Sequence, residues 1–199
     1  IGHCYQRLHK FAQARFNYRK ASHMNPDDGK LQYKIALTYM NEELWESALK
    51  PLEMAMRINR NVPEYYLAIG ECAMNLSRYK EAIQHFGIAV RNRPKNVAAR
   101  DSLIRCLFKA AYFEEAANQC SDAIKTTEGK PVFYYLYSAA LFSLGKSKEA
   151  LLQLEKGLSK APRQVKKFIE LNPSILQNNL VVDLLARYKK GKKIELLFV

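Results

Sequence analysis

Between Pro63 and Leu76 the apolar residues Tyr66, Ile69, Ala73 and Leu76 fall three and four places apart. That spacing marks one face of an α-helix, and Pro63 suits its first position. Ser77 and Arg78 predict a short turn. A second stripe follows at Tyr79, Ala82, Ile83, Phe86, Ala89 and Val90, and Pro94 stops it. The same two-helix plan fits residues 29–62, 97–130 and 131–164 without insertions, and residues 1–28 fit its later part. Alanine recurs every 34 residues at Ala14, Ala48, Ala82, Ala116 and Ala150. A second small-residue ladder runs Ala21, Ala55, Ala89, Ala123 and Gly157. A fixed period of this length predicts a solenoid of stacked helix pairs. The small residues are needed where two helix backbones approach closely.

The plan has local departures. Aromatic residues open the second helix as Phe11, Trp45, Tyr79 and Phe113, but Ser147 breaks the series. Prolines close the unit at Pro26, Pro94 and Pro162, whereas Arg60 and Glu128 stand there otherwise. Gly2 and Gly70 share a slot that Ala36, Ile104 and Ser138 fill elsewhere. Bulky Ile104 and polar Glu128 make 97–130 the unit where irregularity is expected. Residues 165–190 leave the period. Val165 to Leu171 reads as a helix, and Asn172-Pro173 predicts a new helix start. Ile175, Leu176, Leu180, Val181, Leu184, Leu185 and Tyr188 give that helix an apolar stripe. A solenoid needs a terminal unit apolar on one side only, so 165–190 is expected to be a helical cap. Residues 191–199 are an apolar tail, expected to dock on the chain's own surface. Ile1 and Gly2 fall midway along a first helix, which predicts a C-terminal fragment of a longer protein.

This pattern resembles the tetratricopeptide repeat over about residues 1–164. The match is fullest in 63–96, where Tyr66, Ile69, Gly70, Ala82, Phe86, Ala89 and Pro94 occupy the positions of that family's pattern. The resemblance implies an all-α, right-handed superhelical solenoid of antiparallel helix pairs, with the first helix of each pair lining a concave face. It also implies a protein–protein interaction scaffold that binds a peptide or protein partner along that face. Mapped by period, the groove-facing residues are Tyr33, Lys34, Leu37 and Met40, then Leu67, Glu71 and Met74. Arg105, Phe108 and Lys109 follow, then Tyr135 and Phe142. The apolar members are expected to be anchors, and Lys34, Arg105 and Lys109 to favour an acidic ligand. Some members of the family hold a free carboxylate through a Lys/Asn/Arg clamp. Here those slots hold residues such as Tyr33, Leu37, Ala68, Ala98 and Ser102, so no clamp is expected.

Composition adds a second reading. The formal net charge is +13, and the segment 163–193 is strongly basic. Lys166, Lys167, Lys189, Lys190, Lys192 and Lys193 could form a patch for nucleic acid, anionic membrane or acidic protein. Only Phe168 and Tyr188 lie near it, too few aromatics for a strong nucleic-acid signature. A further alternative is the regulatory segment of a larger enzyme. No catalytic residue, cofactor or metal site is expected. The four histidines lack metal-binding helical spacing, and Gly145-Lys146-Ser147 lacks the upstream glycine of a phosphate loop. No apolar run reaches the roughly 20 residues that span a bilayer. Cys4, Cys72 and Cys106 share one small-residue slot and read as buried thiols, which favours a reducing, cytoplasmic setting.

Overall fold

The computed structural model describes residues 1–191. Among the described residues there are twelve α-helices and two 3-10 turns, with no strand. In chain order they are α1 (Gly2–Arg7), α2 (Phe11–Met24), α3 (Gly29–Met40), α4 (Trp45–Ile58), α5 (Pro63–Asn75) and α6 (Tyr79–Asn92). Then come α7 (Val97–Lys109), α8 (Phe113–Thr126), α9 (Pro131–Ser143), α10 (Ser147–Lys160), α11 (Val165–Leu171) and α12 (Asn179–Gly191). The chain packs into two compact units that divide within α7, after Cys106.

One turn recurs throughout. Residues His9, Glu43, Ser77, Ala111 and Gly145 all have positive φ, between 55° and 74°. They stand 34 residues apart, each between the first and second helix of a pair. At every one, the next backbone N–H bonds to the carbonyl five residues back: Lys10 to Tyr5, Leu44 to Tyr39, Arg78 to Ala73, Tyr112 to Leu107 and Lys146 to Leu141, at 2.8–2.9 Å. This is the six-to-one closure of a helix end by a left-handed residue. It ends the first helix and sends the chain back along it. The second helices start at these turns without a side-chain cap on Lys10, Leu44, Arg78, Tyr112 or Lys146.

In the first unit the pairs α1–α2, α3–α4 and α5–α6 pack in succession. Ala14, Ala48 and Ala82 have no exposed surface. A Cβ on Gly70 would sit 2.7 Å from the Phe86 ring, and one on Gly2 would sit 2.7 Å from Tyr18. A glycine in the slot therefore goes with a large ring on the second helix. Elsewhere the sizes change together in sequence: Ala36 with Leu52, Ser138 with Leu154, and Ile104 with Cys120. The large side chain has moved from one register position to the other, so Ile104 leaves α7 unbroken. The irregularity of that repeat lies at the end of α8, where Glu128 and Gly129 both take positive φ. Cys72 is buried among Ala36, Met40, Ala48 and Leu52, and burial pushes its thiol up to about 12. Cys4 differs from the expectation and is exposed.

In the second unit α8, α9 and α10 pack in order, and α11 lies against α9. The helix expected to start at Pro173 does not. Residues Pro173–Gln177 form a 3-10 turn, Asn178 is extended, and α12 begins at Asn179. The Asn178 side chain accepts from Leu180 N at 3.0 Å, so it competes with a continuous helix and caps a new one. Ile175, Val181 and Leu185 are buried against the same core as Leu154 and Leu158. Leu180, expected on that stripe, is exposed. The apolar tail lies outside the described residues.

Size exchange at the slot gives a test. Gly70→Ile is expected to overpack α5 against α6 and cost roughly 1–3 kcal/mol or more. Phe86→Cys is expected to leave a cavity costing about 3–5 kcal/mol. The double variant, which copies Ile104 with Cys120, should lose less than the sum in urea unfolding. Strict additivity would contradict the exchange.

Candidate functional site

The first helices of the first unit present one continuous side. Tyr33, Leu37, Leu67 and Met74 are half-buried there, while Lys34 and Glu71 are exposed. Tyr33 and Tyr65 rings lie 5.2 Å apart, and Tyr33 and Leu37 rest on the core formed by Ala36, Leu52 and Ile69. Burial raises the Tyr33 phenol, with Glu64 and Glu71 adding to it. Desolvation also raises the Glu71 carboxyl. Lys34 reaches over the Tyr18 ring at 5.8 Å. The wall therefore combines apolar steps with one carboxyl and one ammonium.

Two expected members behave differently. Met40 is buried in the α3–α4–α5 core, so it is a packing residue and not an anchor. Arg105 is half-buried and donates from Nε to Asp101 Oδ2 at 2.8 Å. Its charge is already matched, which weakens the expected bias toward an acidic ligand. Asp101 Oδ1 is buried and has no hydrogen-bond partner. Period mapping places Asp101 on the same side as Arg105, but does not show that the two pair. The four-residue spacing from Asp101 to Arg105 was the available signal for that pairing.

In the second unit the expected aromatic anchors are largely used by the chain itself. Tyr135 is fully buried, and its hydroxyl donates to the Ala161 carbonyl at 2.8 Å. Its ring lies 6.4 Å from Phe168 of α11, and Phe142 lies 6.3 Å from the same ring. Phe108 packs edge-on against Phe113 at 5.1 Å. The physical reason is α11, which covers this face of α9. Tyr135 therefore cannot meet a ligand. The sequence signal was Gly157, which replaces alanine in its ladder. A Cβ there would stand 3.1 Å from the Tyr135 ring, so the missing methyl makes room for the tyrosine. Lys109 is exposed.

Of the basic patch, Lys166 is exposed. Lys192 and Lys193 lie outside the described residues, as do the side chains of Lys167, Lys189 and Lys190. Among the described residues no group of His, Cys, Asp and Glu could hold a metal, and no helix is long and apolar enough to cross a membrane.

Residues 67–131 match the family model of the tetratricopeptide repeat. Residues 7–89 match that of the anaphase-promoting complex, cyclosome, subunit 3. The chain is a tetratricopeptide-repeat protein. An Hsp70-Hsp90 organizing protein of Triticum aestivum is 34% identical over 88 residues, which is 44% of this chain and 15% of that protein. A MamA crystal structure superposes with a TM-score of 0.75 at 20% identity, covering 83% of this chain and 97% of that one. The crystal structure of YrrB, a tetratricopeptide-repeat protein with an unusual peptide-binding site, gives 0.68 at 19% identity, covering 81% and 83%.

The two tyrosines at equivalent register should separate by stability. Tyr135→Ala is expected to cost about 3–5 kcal/mol, as for other buried aromatics, and Tyr33→Ala clearly less. Thermal unfolding of both variants checks this. Equal shifts would place Tyr33 in the core as well.

Proposed function

We propose that the chain is a non-enzymatic interaction scaffold that binds an extended peptide segment of a partner protein on the α3–α5 side of its first unit. The observation that carries this is the row Tyr33, Leu37, Leu67 and Met74, half-buried and flanked by polar groups in a rigid frame. Preformed helices lower the ordering cost on the protein side of an association. Apolar steps take alternate side chains of an extended segment. Glu71, exposed on this side, offers an acceptor for a peptide N–H group. Lys34 offers a donor for an acidic residue, so the ligand is a mixed segment with an acidic position and not a uniformly acidic tail. Charge acts mainly on encounter rate.

A peptide-binding YrrB and the partial match to the Hsp70-Hsp90 organizing protein support a binding role for this class of frame. The thiols of Cys4 and Cys72, in no disulfide, suit a reducing, cytoplasmic setting.

The test is a peptide-array screen with the wild type and with Tyr33→Ala/Leu67→Ala. The double variant is expected to lose about tenfold or more in affinity for the selected peptides, with its helical signal retained. Unchanged affinity would place the binding face elsewhere.

A further inference from the structure

A second site lies on the opposite side of α3. Tyr33 and Leu37 face one way along that helix, and Ile35 and Tyr39 face the other. Over Ile35 and Tyr39, between α2 and α4, a cavity of about 350 Å³ opens. Arg19 and His23 of α2 and Lys50 of α4 line it and are exposed. Among the described residues no Asp or Glu lines it. Glu42, just past the end of α3, is engaged by Arg15. The cations are partly set in place: Arg19 Nη2 donates to Tyr39 Oη at 2.7 Å. Gln32 Nε2 donates to Ser22 Oγ at 2.8 Å.

The next seam of the same unit, between α4 and α6 over α5, shows why this one is open. Position for position, Tyr66 stands for Gln32 and His85 stands for Pro51. The Tyr66 and His85 rings lie 6.1 Å apart and fill that seam. Charge also inverts, since Glu53 stands for Arg19 and Glu81 for Ser47. An open, cationic seam is thus a departure from its neighbour at four positions, not a by-product of the repeat.

Pro51 contributes twice. It lies inside α4, and its ring is short where His85 is long. Having no N–H, it also leaves the Ser47 carbonyl without its helical donor. Ser47 and Pro51 both line the cavity.

We propose that this pocket binds a phosphorylated serine or threonine of a partner protein, with the phosphate against Arg19 and Lys50. A phosphomonoester brings about −1.5 to −2 charges and three acceptor oxygens, which match a guanidinium, an ammonium and nearby hydroxyls. Ile35, Pro51 and Met54 supply an apolar floor for the side-chain carbon. The volume falls at the lower end of the roughly 300–1,000 Å³ of ligand pockets, enough for one residue with its flanking backbone. This site is independent of the α3–α5 side, and the scaffold could carry either without the other.

The probe is a degenerate peptide library with a fixed central phosphoserine or phosphothreonine, compared with its unphosphorylated twin on immobilised residues 1–199. The wild type should retain the phosphorylated library about tenfold or more over the twin. Lys50→Glu should abolish that preference. So should Gln32→Tyr/Pro51→His, which rebuilds the plug of the next seam. Tyr33→Ala/Leu67→Ala should leave it intact, and inorganic phosphate should compete only in large excess. Circular dichroism identifies any variant that fails to fold, and Lys50→Glu, a surface change, then decides alone. Equal retention of the two libraries, or retention unaffected by Lys50→Glu, overturns the proposal. Competition by inorganic phosphate as strong as by the library makes this a free-phosphate site and overturns it too. Loss in Tyr33→Ala/Leu67→Ala moves the phosphopeptide to the other side of α3 and does the same.

Discussion

The structure depends on one backbone conformation repeated at a fixed interval. A left-handed residue at His9, Glu43, Ser77, Ala111 and Gly145 closes each first helix and returns the chain beside it. Only Gly145 among them is free of the steric cost that this region imposes on residues with a Cβ. The six-to-one hydrogen bond and the packing of the returning helix offset that cost at the other four. Once the return angle is set, the two helices meet at the same register each time. The alanine at Ala14, Ala48, Ala82, Ala116 and Ala150 is then required, since each has no exposed surface. Close approach follows from the turn, and the pairing of Gly70 with the large ring of Phe86 follows from close approach.

Function is written in what this frame leaves uncovered. In the first unit, the α3–α5 side keeps its apolar steps half-exposed, and the reverse side of α3 keeps a cationic pocket. In the second unit, α11 and α12 lay Phe168, Val181 and Leu185 against α9 and α10. The same period therefore yields a half-buried tyrosine at Tyr33 and a core tyrosine at Tyr135. The difference is made by the methyl group absent at Gly157 and by the helix that follows.

Much of this was legible in the amino-acid order. Helix pairs, turn positions and the buried alanines follow from spacing alone, because stacked identical units force identical contacts. The fates of Met40 and Tyr135 were not legible from period mapping, which assigns a residue to a side but not to a depth. Depth depends on what lies across from it, and for Tyr135 that is α11, where the period has already stopped. Asn172-Pro173 has the composition of a helix start, yet Asn178 sits five residues on and captures the cap. The open seam beside α3 was hidden for another reason. Gln32, Pro51 and Lys50 are ordinary surface residues singly, and they become a pocket only by contrast with Tyr66, His85 and Gln84 one unit later.

The most direct measurement of the central claim is the unfolding free energy of Ser77→Gly against Ser77→Val. A left-handed position recurring at this turn predicts that glycine stabilises by about 1 kcal/mol, since it escapes a cost of roughly 1–2 kcal/mol while losing more chain entropy. It predicts that β-branched valine destabilises, with both variants remaining helical. If valine were tolerated as well as serine, or glycine lowered stability, the turn would not be the constraint that sets the pairs.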